Sequence, residues 1–286
     1  MEGQLWKAIL AVLARLDKRH KRASEDFGDE QIVKVFYWSV IHDRPISWAC
    51  RRVSWPVHDR RHSLPSNTTM SRRQRSPSVI ALLDAVEQSV TRPTAPGLYW
   101  MIDGKPLVIG SCSKDRQAGY GRAARAKAKG YKLHALVAAD GQIAAWRIAP
   151  MNKDERVMAR RILKTTDVKG YVVGDANYDS NELHTICDAR GNCQFVTPRR
   201  YGPGRNLGHR AQSPGRLRSI ELLESPQPQF GHQLIKQRGS IERYFGTTTS
   251  WGGGLTHLPP WARTYRRVRR WVQAKLALTA CRRSIE

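Results

Sequence analysis

Apolar residues recur at helical spacing through the first third of the chain and then in short strand-like runs, and this change of period divides the sequence. Leu5 to Leu13 is an amphipathic stretch interrupted by Lys7, which predicts a helix too short and too polar for a membrane span. From Asp29 to His42, Ile32, Val33, Val35, Phe36, Val40 and Ile41 predict a buried helix opened by an aspartate cap. Pro45 to Cys50 begins another, with proline in the first turn. Ser66 or Asn67 then caps a short helix bringing Thr68, Thr69, Arg72 and Arg75 within reach of one face. Small polar residues followed by arginines suit the recognition helix of a helix-turn-helix, with Arg72, Arg73 and Arg75 as DNA contacts. A solvated basic helix packed on its neighbours is the alternative.

Thr91 to Gly97 is a proline-bearing linker, and the pattern changes after it. Strands are expected at Leu98–Asp103, Pro106–Gly110, Lys132–Ala138 and Gln142–Ile148. A helix follows at Asn152–Lys164, a strand at Gly170–Asp175, a helix at Ser180–Ala189, a strand at Gln194–Pro198 and a helical C-terminal third. Strands that then alternate with helices predict an α/β fold, a mixed sheet flanked by helices. The expected organisation is a small all-helical region over residues 1–92 and a second domain over 97–286. The stretch from Lys114 to Lys132, rich in glycine, alanine and cations, reads as a loop, and the arginines between 199 and 218 lie in a Gly/Pro/Ser-rich segment. A terminal helix carries Arg263, Arg266, Arg267, Arg269, Arg270, Lys275, Arg282 and Arg283 as a cationic stripe, with Trp271, Val272, Leu276 and Leu278 on its buried side.

Charge narrows the choice of partner. The chain carries 49 Lys+Arg against 24 Asp+Glu, net +25, and the excess is +6 over residues 1–95 and +19 beyond. A surplus of that size points to a polyanion, most often nucleic acid. Five cysteines without a CxxC pair indicate neither a disulfide framework nor a zinc module. With no membrane span or cleavable leader expected, the cytoplasm is the expected compartment.

Three acids stand out against this background. Asp103 and Asp175 each end an apolar run, Met101-Ile102-Asp103 and Val172-Val173-Gly174-Asp175, and Glu242 lies in the helical stretch Arg238 to Phe245. A carboxylate at the end of a buried strand needs a cationic partner, and Mg²⁺ takes hard oxygen ligands of this kind. A ribonuclease-H-like sheet would bring the three together and support two-metal phosphoryl transfer. Alternatives exist for each: Asp103-Gly104 as a hairpin turn, Asp175 as a helix cap, Glu242 as a surface acid paired with Arg238. Asp115, Asp140 and Asp179 are competing acids, with Asp140 in another Asp-Gly turn. Lys132 and His134 share one side of a strand and are candidate DNA contacts, though a satisfied strand histidine is an equal reading. Trp251, before three glycines, could stack on a base.

The segments Ile102-Asp103-Gly104-Lys105-Pro106-Leu107, Gly130 to Leu136, Gly174 to Leu183 and Arg238 to Gly246 together resemble the DDE transposases of bacterial insertion sequences, in the broad group of insertion-sequence families four and five. The resemblance covers about residues 97–280, and the helical region around Pro45 and Pro65 is also similar. It implies a ribonuclease-H-like catalytic domain in which Asp103, Asp175 and Glu242 form the metal-binding catalytic triad, with two Mg²⁺ ions and Mn²⁺ as a substitute. Arg238 matches the arginine of the closing signature, while Ile235 and Thr249 replace its tyrosine and its basic residue. The implied activity is cleavage at element ends and transfer of the 3′-hydroxyl into target DNA. Implied partners are double-stranded DNA, as terminal inverted repeats and target, and a second copy in a synaptic homodimer. The implied setting is the bacterial nucleoid, with no membrane. The rival readings are a DNA-binding protein that has lost catalysis and a metal-dependent nuclease that cuts without joining.

Overall fold

The computed structural model describes residues 2–16, 26–57, 63–91, 97–109, 113–123, 126–203, 206–207, 209–249, 255 and 258–285. Linker residues 92–96 and Trp251 lie outside the described residues. Two compact units result, residues 1–91 with 248–286, and residues 92–247. Among the described residues no helix is long and apolar enough to cross a membrane.

The first unit is helical: α1 (Glu2–Leu16), α2 (Asp29–Ile41), α3 (Ile46–Ala49), α4 (Asn67–Arg73) and α5 (Pro77–Thr91). Helix α2 buries residues around most of its circumference, which makes it the core of this unit. Trp38 stacks on Trp55 at 4.9 Å between ring centroids, and Trp6 meets Trp38 edge-on at 5.1 Å. The indole nitrogens of Trp38 and Trp55 donate to the carbonyls of Ser54 and Ala49, so the cluster leaves neither donor unmet. Gly28, not Asp29, occupies the cap position of α2. Asp29 begins the helix and accepts from Arg73 (2.5 Å) and Ser78 (3.1 Å), tying the start of α2 to the end of α4 and the start of α5.

The second unit is built on one mixed sheet. Its strands are β1 (Tyr99–Val108), β2 (Gly119–Ala123), β3 (Ala126–Ala138), β4 (Ile143–Pro150), β5 (Gly170–Val173) and β6 (Cys193–Val196). Its helices are α6 (Glu155–Leu163), α7 (Asn181–Asp188), α8 (Pro214–Glu224), α9 (Gln229–Gln237) and α10 (Gly239–Thr249). Strand β3 pairs antiparallel with β1, β2 and β4, while β5 runs parallel to β1 and β6 parallel to β5. An antiparallel meander continued on its first strand by two parallel strands is the ribonuclease-H-like arrangement expected. Trp100, Ile102, Leu136, Val172 and Phe195 form one core with residues of α6 and α7. On the opposite face Val173 and Val196 pack with Leu234 of α9.

Three expectations change here. The two strands expected around Asp103 are one: Asp103 pairs with Ala135, Gly104 with His134 and Pro106 with Lys132, so Asp103-Gly104 is not a turn. The stretch expected as a loop from Lys114 holds β2 and the first part of β3, paired from Gly119 with Gly130 to Ala123 with Ala126. The Gly/Pro/Ser-rich arginine segment, expected to pack no core, contains the start of α8, whose Arg216 grips Asp179 through two nitrogens at 2.7 and 2.6 Å.

The chain closes with α11 (Tyr265–Arg283), which packs on α1, α2 and α5 in the first unit rather than within the sheet-bearing one, as the 97–286 boundary had it. Trp271, Val272, Leu276 and Leu278 are buried as expected. Lys275 is not on the solvent stripe. It is buried, and its ammonium lies 2.6 Å from Asp43, because a fully desolvated cation requires a partner.

Candidate active site

Asp103 sits in the middle of β1, beyond the point where β5 ends its pairing at Met101. Its carboxylate accepts the backbone N–H of Gly104 at 2.7 Å. Burial raises its pKa to about 6. The Gly104 hydrogen bond opposes that rise, the charges of Asp175 and Glu155 add to it, and Arg238 offsets it. Met101 pairs with Val173, so Asp103 and Asp175 each lie two residues past the last pair of β1 and β5. Lys105, two residues on along the same face, lies 5.8 Å over the Phe245 ring of α10.

Asp175 follows β5 and opens a short 3-10 turn, Ala176–Tyr178. One carboxylate oxygen accepts the backbone N–H of Asn177 at 2.8 Å, and the other the Asn177 side-chain amide at 3.2 Å. The capping role is therefore real, and it orients the carboxylate while leaving it within 3.7 Å of Arg238. Tyr178, from the same turn, is fully buried, and its hydroxyl has no hydrogen-bond partner among the described residues. Burial and the charges of Asp103, Glu155 and Asp175 push its pKa well up, with Arg238 opposing.

Glu242 comes from α10, and its side chain is 63% exposed. Arg238 links it to the aspartates: one guanidinium nitrogen lies 3.7 Å from Asp175 and another 3.4 Å from Glu242. The structure thus sets Asp103 and Asp175 each two residues past the Met101–Val173 pair of the neighbouring strands β1 and β5, and joins Glu242 to Asp175 through a shared arginine. Among the described residues no three Asp, Glu, His or Cys side chains lie close enough to hold a metal ion together.

A fourth acid escaped the sequence reading. Glu155, in the first turn of α6, accepts from the Lys132 ammonium at 2.5 Å. A β-carbon on Gly104 would fall 2.8 Å from the Lys132 side chain and 3.4 Å from a Glu155 oxygen, so glycine there admits this ion pair beside β1. The sequence signal was Asp154-Glu155 opening a helix after a strand, but only the β1–β3 register reveals its neighbour.

The competing acids are structural. Asp179 is buried between Arg216, the Arg200 backbone N–H and His184, and its pKa is lowered by these hydrogen bonds against the cost of burial. Asp140 accepts the Gln142 N–H in the β3–β4 turn, and Asp115 accepts the Tyr131 hydroxyl at 2.6 Å.

The expected DNA contacts divide. Lys132 is engaged by Glu155. His134 is 1% exposed, and burial followed by the charge of Lys132 pushes its pKa down to about 3, so its neutral ring lies below the surface a phosphate could touch. In the helical unit Ser66 caps α4 by accepting from the Thr69 N–H, as expected. Arg72 on that short helix and Arg75 in the turn after it are exposed, but Arg73 is buried on Asp29, because helical rotation carries it to the inner face.

The sheet thus carries Asp103 on β1 and Asp175 just after β5, and α10 carries Glu242, which Arg238 joins to Asp175. A family model for the transposase DDE domain matches residues 76–279, and the chain belongs to that family. Among solved structures, a piggyBac transposase synaptic complex with hairpin DNA is similar at 9% identity and a TM-score of 0.47, covering 98% of this chain and 71% of that one. No curated protein matches the chain.

Proposed function

We propose that this transposase cleaves one DNA strand at each end of its element and transfers the freed 3′-hydroxyl into target DNA. The observation that carries the reading is that Asp103 and Asp175 each lie two residues past the last pair of the neighbouring strands β1 and β5, with Glu242 joined to Asp175 by Arg238. The donor set suits magnesium, with manganese as a substitute, since it is all carboxylate oxygen. Asp103, Asp175 and Glu242 would hold the metal, taken as two ions. Bound metal would supply Lewis acidity to the attacking water or hydroxyl and charge to the leaving oxygen.

The chain's own groups orient the rest. Asn177 holds the Asp175 carboxylate in place, and the Gly104 N–H does the same for Asp103. Arg238 offers a planar edge suited to a phosphate oxygen pair. Arg72 on α4 and Arg75 just after it supply exposed cations for the duplex, and two copies of the chain would bring two element ends together. A strand-transfer assay with precut ends, using any inverted repeats found to bracket the reading frame, tests this. Wild-type protein with magnesium should join the ends to a target, and Asp175→Asn should bind them without cutting or joining. Cleavage retained by Asp175→Asn would overturn the assignment, and cutting without joining would favour a nuclease.

A further inference from the structure

We infer that the paired segment Gly119–Ala123 with Ala126–Gly130 is a DNA-binding ribbon that grips the duplex flanking the reacting bond, about six base pairs from the carboxylates. The inference rests on the reading of this unit as acting on DNA.

Residues directly opposite in an antiparallel pair project to the same face. Tyr120 is opposite Lys129 and Arg122 is opposite Lys127, so all four occupy one face of the ribbon. Lys127 and Lys129 lie 5.9 and 6.0 Å over the Tyr120 ring, which is 57% exposed. Arg122 and Lys127 are exposed. A like-charge pair directly opposite is unfavourable in an isolated ribbon and becomes favourable once a polyanion covers it.

The other face is closed. Gly119 and Gly121 lie against Asn152 and Met151, where a β-carbon on Gly121 would come within 2.6 Å of the Met151 carbonyl, and one on Gly130 would overlap the carbonyl of Leu107. The small residues therefore serve close packing and fix which face looks outward. Asp115, on the approach to β2, accepts from the Tyr131 hydroxyl and the Gln117 N–H and keeps its negative charge, which Arg122, Lys127 and Lys129 together outweigh.

Alternation along β3 connects the ribbon to the site. Asp103 is opposite Ala135, and Ala135, Leu133, Tyr131, Lys129 and Lys127 share one side of β3. The cationic face and the Asp103 side chain thus belong to the same side of the sheet. From Lys129 to Ala135 a strand rises about 20 Å at roughly 3.3 Å per residue. That is about six base pairs at roughly 3.4 Å each. A two-stranded ribbon also has the width that a major groove admits.

The test uses the full-length chain and a random-sequence duplex of about 30 base pairs, with binding followed by fluorescence anisotropy over a range of salt. Replacing Lys127 and Lys129 together by alanine should lower affinity about tenfold at low salt and reduce the slope of log affinity against log salt by about two. Tyr120→p-benzoylphenylalanine should cross-link to the duplex on irradiation, whereas the same replacement at Leu98, before the other end of β1, should not. Unchanged affinity and slope, or no cross-link from position 120 in a chain that binds DNA, would overturn the ribbon while leaving the transposase reading intact. A wild-type chain that binds no duplex would overturn both.

Discussion

One nitrogen of Arg238 lies 3.7 Å from the Asp175 carboxylate, and the other faces Glu242 across one helical turn at 3.4 Å. The guanidinium therefore does two things in this site. It supplies positive charge that lets acidic side chains approach one another, and it competes with any other cation for the same oxygens.

Removing Arg238 should accordingly leave metal binding intact or strengthened in the absence of DNA. Arg238→Ala is expected to bind Mn²⁺ up to about fivefold more tightly than wild type, the range of a partly exposed ion pair, while strand cleavage falls. Calorimetric titration of both proteins with MnCl₂ checks this, and a tenfold loss of metal affinity would contradict it.

The pH dependence of stability should carry the signature of Asp103. Its folded pKa, about 6, lies above the ordinary value of 3.8, so the folded state holds the proton more tightly than the unfolded one. The protonated carboxyl thus contributes stability that is present at low pH and lost as pH rises through roughly 4 to 6. The loss is at most about 3 kcal/mol, at about 1.4 kcal/mol per pKa unit. Thermal unfolding of metal-free wild type and Asp103→Asn across this window should show the wild type losing stability relative to the variant. Parallel curves would exclude it.

The three arginines of the α4 segment should separate by experiment. Arg73→Ala leaves Asp29 buried without its cation and should cost about 3–5 kcal/mol. Arg72→Ala and Arg75→Ala should change stability by no more than about 0.5 kcal/mol and lower duplex affinity. Denaturant unfolding alongside anisotropy distinguishes the two behaviours.

Gly130→Ala should destabilise the sheet-bearing unit by roughly 1–3 kcal/mol, the usual cost of overpacking, since the added methyl overlaps the Leu107 carbonyl. Hydrogen exchange should show the loss concentrated in the residues of β2 and the adjoining half of β3.

The legible parts of this fold were those whose local pattern and tertiary role agree. Strands β4, β5 and β6 and helices α6 and α7 carry clear periodicity, and Ser66 announces α4. The ribbon was hidden because Gly119, Gly121, Ala126 and Ala128 lack the β-branched residues that mark strands; its pairing depends on close backbone approach. Asp103-Gly104 resembled a turn because the dipeptide alone does not disclose that β3 lies beside it. Lys275 and Arg73 looked like surface cations because their partners, Asp43 and Asp29, are remote in sequence. Of the site, the acids and Arg238 were readable as residues, whereas Glu155 and the burial of His134 follow from register and packing alone.

Iron-directed backbone cleavage probes the meeting of Asp103, Asp175 and Glu242 most directly. Fe²⁺ substituted for magnesium, with ascorbate and peroxide, generates hydroxyl radicals that cut the chain beside the ion. Fragments ending near residues 103, 175 and 242 together, suppressed by excess Mg²⁺ and absent in Asp103→Asn, are the predicted result. Cleavage confined to one of the three segments, or unaffected by Asp103→Asn, would contradict a shared metal site.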